Sequence, residues 1–396
     1  MHIRHLLREI YPLSNLVQRH LLHPSSFIHL PMPCQTIRHV WRRRCRRCLI
    51  LPIAVTLAAL VLFIVFSLTQ KNLLVRTQPT ASIARRTLII IRTSHHCQSR
   101  LTYLLRSWIP SNLNEQGHVY LLTDKRSKYS NRTILQSFRN VIDTNCSETH
   151  DRFDLCCKTA HEFELFKNLS RVHRELEWMC RFDDDQYVNL PNLYELLAEK
   201  DASKRHYIGR TSSQHPMTVP ERNGTYFFAT YGGGVCFSRP LLERMQPYVG
   251  KQLLPDDCVA RRLSDDVYIG YLTELVLNTR LLTLNKRFHS HLEKLDVSFR
   301  TFHLAYLRQA ITLGFAWDRY TLNWLPIIHQ LLELSRRGES EAADHLWTFL
   351  RRYEKEHPED LRDKHDDSCS SYRSKRDPLI QPHIEFTRAT TTSNRS

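Results

Sequence analysis

The chain predicts an α/β protein in which helices flank a mainly parallel sheet, preceded by one N-terminal transmembrane helix. Three observations carry this reading. Hydrophobic residues make up 42% of the 396, with 10 Gly against 17 Pro, a globular and not a fibrous balance. After residue 87, short aliphatic runs alternate with amphipathic stretches, the order that builds α/β layers. Before it, "CLILPIAVTLAALVLFIVFSL" (48–68) runs for 21 residues without a charge. About 20 apolar residues suffice to cross a bilayer as a helix.

That apolar run is too long and too far from the N-terminus for a cleaved signal peptide, whose core is about 7–15 residues. Residues 1–47 carry nine Arg and one Glu, 9 − 1 = +8, half of the net +16. The positive-inside rule keeps that flank cytoplasmic and sends Thr69 onward into the lumen. With half the charge explained by a membrane flank, nucleic-acid binding is disfavoured. Asn131, Asn145, Asn168 and Asn223 each begin an Asn-X-Ser/Thr acceptor that a lumenal chain can use. Eight of the 11 Cys follow the anchor, where disulfides form. Cys34, Cys45 and Cys48 lie on its cytoplasmic side or at the boundary, free or acylated.

Along the lumenal part, residues 69–86 read as a polar stem. "TLIIIRT" (87–93) is a buried strand, "SRLTYLLRSWI" (99–109) a helix, and "HVYLLTD" (118–124) the next strand. Residues 158–177 have the pattern of a long amphipathic helix leading into the strand "WMCRF". "LPNLYELLAEK" (190–200) is a helix, and "TYFFATYGGGVCFS" (225–238) reads strand, glycine turn, strand. Residues 316–396 look helical and then polar.

Asp183, Asp184 and Asp185 follow the strand directly. Three adjacent carboxylates repel, so a cation is expected among them. In open α/β sheets the carboxyl edge is where ligands bind. A hard divalent ion takes oxygen ligands and itself favours a phosphate-bearing substrate. A solvated turn capping the next helix is the plainer reading, but Tyr187, Val188 and Leu190 argue against a loose loop.

"TNCSETHDRFDLCCKTA" (144–160), "WMCRFDDDQYVNL" (178–190), "FFATYGGGVCFSR" (227–239), "DDVYIGYLTE" (265–274) and "FHSHLEKL" (288–295) are similar, in this order, to motifs of the Fringe family. These are Golgi β-1,3-N-acetylglucosaminyltransferases that extend O-linked fucose. The resemblance covers about residues 85–315 and implies a catalytic domain over 87–315. It implies a GT-A type glycosyltransferase fold, a Rossmann-like mixed sheet flanked by helices, in a single-pass type II Golgi membrane protein. It implies UDP-GlcNAc as donor, Mn²⁺ or another divalent cation as cofactor, and fucosylated EGF-like repeats of Notch-type receptors or ligands as acceptors. A β-1,3-transferase with a galactosyl donor or another acceptor, and a non-catalytic binding protein on the same fold, remain as alternatives.

Residue by residue, the resemblance makes Asp185 and His291 metal ligands and places Asp184 on the sugar nucleotide. Arg100, eight residues before Trp108, stands where the family binds donor, and a guanidinium suits phosphate oxygens. Gly232, Gly233 and Gly234 would let backbone approach the sugar. His289 falls on the other strand face and reads as structural. The family's pairing implies disulfides Cys146–Cys157 and Cys180–Cys236. Cys97, Cys156, Cys258 and Cys369 have no assigned partner, and the family's C-terminal cysteine pair is missing. For the general base, "LPDDC" offers Asp257 beside Asp256, and "LSDDVYIGYLTE" offers Asp266 with Asp265 supporting. Gly270, Tyr271 and Glu274 match the family's downstream pattern, which favours Asp266. Ser264 would then cap the helix, whose dipole favours an ionised carboxylate, and Asp256 and Asp257 would lie in a polar loop ahead of it.

Overall fold

Alternation within one strand, β1 (Thr87–Arg92), sets the layering. Period-two geometry sends Leu88 and Ile90 into one hydrophobic core and Ile89 and Ile91 into another. Each such burial is favourable by about 1.5–3 kcal/mol relative to exposure, so covering both faces stabilises this strand in the middle of the sheet. The computed structural model describes residues 81–109, 118–149, 151–219, 222–290, 304–315, 322 and 324–356. The chain divides into two units, Met1–Lys71 and Asn72–Ser396, and all described residues belong to the second. The expected anchor at 48–68 lies outside the described residues. No helix among the described residues is long and apolar enough to cross a membrane.

From edge to edge the main sheet is β10 (Leu281–Thr283), β6 (Tyr207–Gly209), β9 (Val235–Ser238), β4 (Trp178–Asp183), β1, β2 (His118–Thr123) and β3 (Val141–Asp143). β1 runs parallel to β2 and β4, β2 to β3, and β10 to β6; only β9 is antiparallel to its neighbours. The sheet is mixed and mainly parallel, as expected. A second sheet is built from β11 (Phe288–His289), β12 (Thr312–Gly314) and β5 (Gln186–Val188), and β7 (Met217–Val219) pairs with β8 (Arg222–Tyr226) as a hairpin.

One face of the main sheet carries the helices Arg152–Val172, Arg239–Met245, Leu253–Arg261 and Asp265–Tyr271; the other carries Arg100–Leu105, Leu190–Ala198 and Trp324–Arg336. The core reaches beyond residues 87–315 at both ends. Ile83 and Ala84, read as stem, are buried, as are Trp324, Leu325 and Ile328 of the C-terminal segment.

Three local expectations change. The long helix starts at Arg152, where Asp151 caps it by accepting the Phe153 N–H at 2.8 Å, and ends at Val172, not 177. The helix at 99–109 closes at Leu105 and continues as turns, with the Ser107 hydroxyl donating to the Tyr103 carbonyl. Asp256 and Asp257 sit in the helix Leu253–Arg261 instead of a loop. That helix buries Leu254 and Cys258, four residues apart and so on one face.

Both expected disulfides are present. Cys180 and Cys236 stand directly opposite each other across β4 and β9. Two of the unassigned cysteines, Cys156 and Cys258, join the long helix to the helix Leu253–Arg261, and Cys97 is bridged as well.

Gly234 leads into β9 with φ +77° and ψ 151°, a conformation open essentially to glycine alone. A Cβ there would also lie 2.6 Å from the Phe182 ring. Gly234→Ala is expected to destabilise the fold by about 2–4 kcal/mol through backbone strain and overpacking, read as a lowered midpoint in denaturant unfolding.

Candidate active site

The parallel pairing of β1, β2 and β4 brings their carboxyl ends, Arg92, Thr123 and Asp183, to one edge of the sheet. Because β9 is antiparallel to β4, its start at Gly234 and Val235 meets the same edge. The acidic turn between β4 and β5 projects there and is pinned by its backbone. The Asp184 N–H donates to the Arg92 carbonyl at 3.1 Å, and the Asp185 carbonyl accepts the Phe315 N–H at 2.9 Å. The Gln186 side chain accepts the Asp183 N–H and donates to the Tyr231 carbonyl. This is a fixed turn, not a loose loop.

The cations among the carboxylates are guanidinium groups. Asp183 faces Arg181 at 2.6 Å and Arg92 at 3.4 Å. Arg100 donates to Asp184 at 2.9 Å and stands 3.4 Å from Asp185. At the far end of the same segment the Trp108 indole donates to the Gln186 carbonyl, so Arg100 and Trp108 together clasp the turn. Arg100 is thus on the acidic turn itself.

One guanidinium does not balance two carboxylates, Asp184 buried and Asp185 partly buried. Burial raises Asp184, with Arg100 opposing. Burial pushes Asp185 up to about 7, with Asp183 and Asp184 adding to it against Arg100. A carboxyl so displaced among its neighbours fits the addition of a hard cation, which prefers oxygen ligands and would return it to the ionised form. His291, the second expected ligand, lies outside the described residues. His289 is structural as expected: buried, with its Nε2 at 3.1 Å from the Lys286 carbonyl, and held down at about 4, first by burial and then by Arg210.

The paired carboxylates at 265 and 266 divide. Asp265 is buried and receives Arg92 at 2.7 Å and the Thr159 hydroxyl at 2.8 Å. Burial opposes its charge, but Arg92 and Arg181 outweigh that and lower its pKa. Among the described residues, Asp266 accepts from only the Ser264 hydroxyl and the Val267 N–H, both at 2.9 Å. Ser264 takes the N-cap position, as expected, yet its hydroxyl donates to Asp266 and caps no backbone group. The expected dipole effect is overridden: burial and then Asp265 raise Asp266 to about 6. Asp257 instead accepts the Tyr268 hydroxyl at 2.7 Å, a tie between two helices. Glu274 accepts the Phe227 and Leu281 N–H groups and so ties the residue after β8 to the start of β10.

The glycines have a packing account. Gly233 turns back on Thr230, and its carbonyl accepts the Thr312 hydroxyl at 2.6 Å, locking the glycine turn to β12. Asn131, Asn145 and Asn168 are exposed, as a glycan would require, and Asn131 also caps a helix through the Ile134 N–H. The Asn223 side chain lies outside the described part. Sequence reasoning missed Arg92, Thr159, Glu162 and Arg181, a buried polar group linking the acidic turn to the helix Asp265–Tyr271. The one signal was an arginine within each of two otherwise apolar strands.

The site is thus an acidic turn at the carboxyl edge of a mixed, mainly parallel sheet flanked by helices. The chain belongs to the Fringe-like family, whose model matches residues 84–335, twenty residues beyond the stretch read as similar from sequence. It is 36% identical over 206 residues to the beta-1,3-N-acetylglucosaminyltransferase lunatic fringe of Danio rerio, covering 50% of this chain and 52% of that one. To manic fringe of the same organism it is 31% identical over 261 residues, covering 64% and 68%. To the Fringe glycosyltransferase of Drosophila melanogaster it is 31% identical over 240 residues, covering 58% and 55%. The chain spans about half the length of most of these curated relatives. A solved glycosyltransferase involved in glycosylation of the major capsid of PBCV-1 overlaps 62% of this chain and 99% of its own at 9% identity and a TM-score of 0.35, too loose a likeness to carry an argument.

The raised Asp266 has a sign that unfolding can read. Its folded pKa of about 6 exceeds the unfolded value near 3.8, so the fold is favoured below both and loses that stability as pH rises through 6. Asp266→Asn removes this partly buried charge. It is therefore expected to raise the thermal midpoint by a few degrees at pH 8, with the gain fading below about pH 5.

Proposed function

We propose that the chain transfers GlcNAc from UDP-GlcNAc, in β1,3 linkage and with inversion, to O-linked fucose on EGF-like repeats. The observation that carries this reading is the division between Asp265, locked in a buried ion pair, and Asp266, left with a raised pKa of about 6. Environments that push two carboxylates apart are how acid–base roles are assigned. A base of that pKa is ionised at neutral pH yet basic enough to accept a proton in the transition state.

In this reading Asp266 takes the proton of the fucose 3-hydroxyl as that oxygen attacks the anomeric carbon from the face opposite the diphosphate. The new carbon–oxygen bond forms as the bond to the phosphate oxygen breaks, and UDP leaves with the electron pair. One displacement inverts the centre, so no nucleophilic Ser or Cys is required. Asp265 holds Arg92 and thereby the helix that carries the base. Asp184 and Arg100 meet the donor, the guanidinium facing phosphate oxygens once they arrive. Asp185 and His291 would hold Mn²⁺ or another divalent cation, which when bound neutralises diphosphate charge and makes UDP a better leaving group. The type II anchor at 48–68 would place this site in the Golgi lumen, with Notch-type receptors or their ligands as acceptors.

Incubating the full-length protein with a fucosylated EGF-like repeat, UDP-GlcNAc and Mn²⁺ should add one N-acetylhexosamine by mass spectrometry. Release of UDP from UDP-galactose but not UDP-GlcNAc would assign a different transferase. Neither donor being consumed would favour a binding protein. Asp185→Ala should abolish transfer while unfolding at a native-like temperature, and wild-type turnover in excess EDTA would refute metal dependence. Asp266→Asn should lower kcat by at least about 10²–10⁴-fold with donor binding retained, and wild-type kcat/KM should fall below about pH 6. Asp257→Asn should leave turnover near wild type, since its partner is Tyr268.

A further inference from the structure

Among the described residues, three groups of His, Cys and carboxylate side chains bring three ligand atoms within 4.8 Å of one another. In one, Cys146 and Cys157 are already joined as a disulfide. In the second, His95 and His96 face Glu148, but that carboxylate already holds Lys125 at 2.7 Å and Lys128 at 2.5 Å. An incoming cation there would meet two ammonium groups. The third is His118, His173 and Glu175, and among the described residues its ion pairs are only to one another.

We propose that His118, His173 and Glu175 form a binding site for a divalent transition metal of the zinc type. Glu175 Oε1 lies 3.3 Å from His173 Nδ1 and 3.9 Å from His118 Nε2. Tetrahedral zinc, with bonds of about 2.0–2.1 Å, spaces its ligand atoms roughly 3.3–3.4 Å apart. One edge of the tetrahedron is therefore formed, and the second must close by about half an ångström. The imidazole centroids are 4.5 Å apart with planes inclined by 53°, an approach of ring edges and not a flat stack.

Both histidines are held by their backbones. His118 opens β2 in register with Leu88. His173 closes the long helix with its N–H on the Leu169 carbonyl, and its own carbonyl accepts the Leu176 N–H at 3.1 Å. Glu175 is the most exposed member, its side chain 51% exposed, and leaves a side open for water as fourth ligand. Two imidazoles with one carboxylate select zinc-like ions over Mg²⁺ or Ca²⁺, which prefer all-oxygen sets.

The position separates this site from the acidic turn. Leu88, beside His118, is at the start of β1, whereas Asp183 pairs with Arg92 at its end. A metal bound here ties the first residue of β2 to the connection between the long helix and β4, and its effect is on stability and not on the transfer reaction.

The test uses the full-length protein, stripped with EDTA and dialysed against Zn²⁺ in excess Mg²⁺, which occupies carboxylate sites without competing for imidazole. Wild type should retain one more zinc per chain than His118→Asn or Glu175→Gln. Its thermal midpoint should rise by several degrees with Zn²⁺, a rise both variants lack. Glu175→Gln changes an exposed side chain and should fold. Equal zinc content and equal thermal shifts in wild type and Glu175→Gln would overturn the proposal. So would a zinc shift lost only in Asp185→Ala, which would place the ion at the acidic turn.

Discussion

A single buried guanidinium, that of Arg92, joins the two acidic elements of the site. It ends β1 in the middle of the main sheet and reaches Asp265 at 2.7 Å and Asp183 at 3.4 Å, with Thr159 at 3.1 Å. Its burial opposes the charge, but Asp265, Asp183 and Glu162 together outweigh that and raise its pKa. Breaking a buried pair by removing one partner costs about 3–5 kcal/mol, because the other charge is left unpaired. The end of β4 and the start of the helix Asp265–Tyr271 are held relative to one another by this contact. They are otherwise separated by more than eighty residues of chain.

The pairing also explains how two neighbouring aspartates of identical chemistry come to differ. Arg92 and Arg181 draw Asp265 toward the ionised form, and Asp265 in turn works against ionisation of Asp266. Arg181 extends the arrangement: fully buried, it meets Glu162 at 3.4 Å and Asp183 at 2.6 Å, and its guanidinium lies 4.2 Å from the Tyr231 ring centroid. Burial raises Glu162, and the two arginines resist that rise. Such a network is tolerable in a core only when its members satisfy one another.

Periodicity made the central layer legible. β1, β2 and β4 are mostly apolar runs of six residues each, buried along most of their length, the mark of strands covered on both faces. The helix Leu253–Arg261 was hidden because its interior carries Pro255, Asp256 and Asp257, residues that mark loops, and because a disulfide through Cys258 supplies what propensity does not. The acidic turn was visible from its composition, but its arginine partners were not. Arg181 precedes it by two residues on β4 itself, whereas Arg92 and Arg100 lie more than eighty residues upstream and meet it through the parallel pairing of β1 with β4. The same distance hid the contrast between Asp265 and Asp266, which share a motif and differ only in what the fold places beside them.

Adjacent cysteines on the long helix impose an order on maturation. Cys157 bonds a residue 11 positions upstream, while Cys156 bonds one 102 positions downstream. During synthesis the first partner is present as soon as the helix emerges, and the second is not made until Cys258. In that interval the Cys156 thiol stands beside its already matched neighbour with no native partner. Cys180 and Cys236 are synthesised within the same interval, and their bridge nests inside the larger loop. Mispairing of Cys146 with Cys156 is thus the nearest error open to the nascent chain, and closure of the 102-residue loop is the step that ties the long helix to the helix Leu253–Arg261 on their shared face of the sheet.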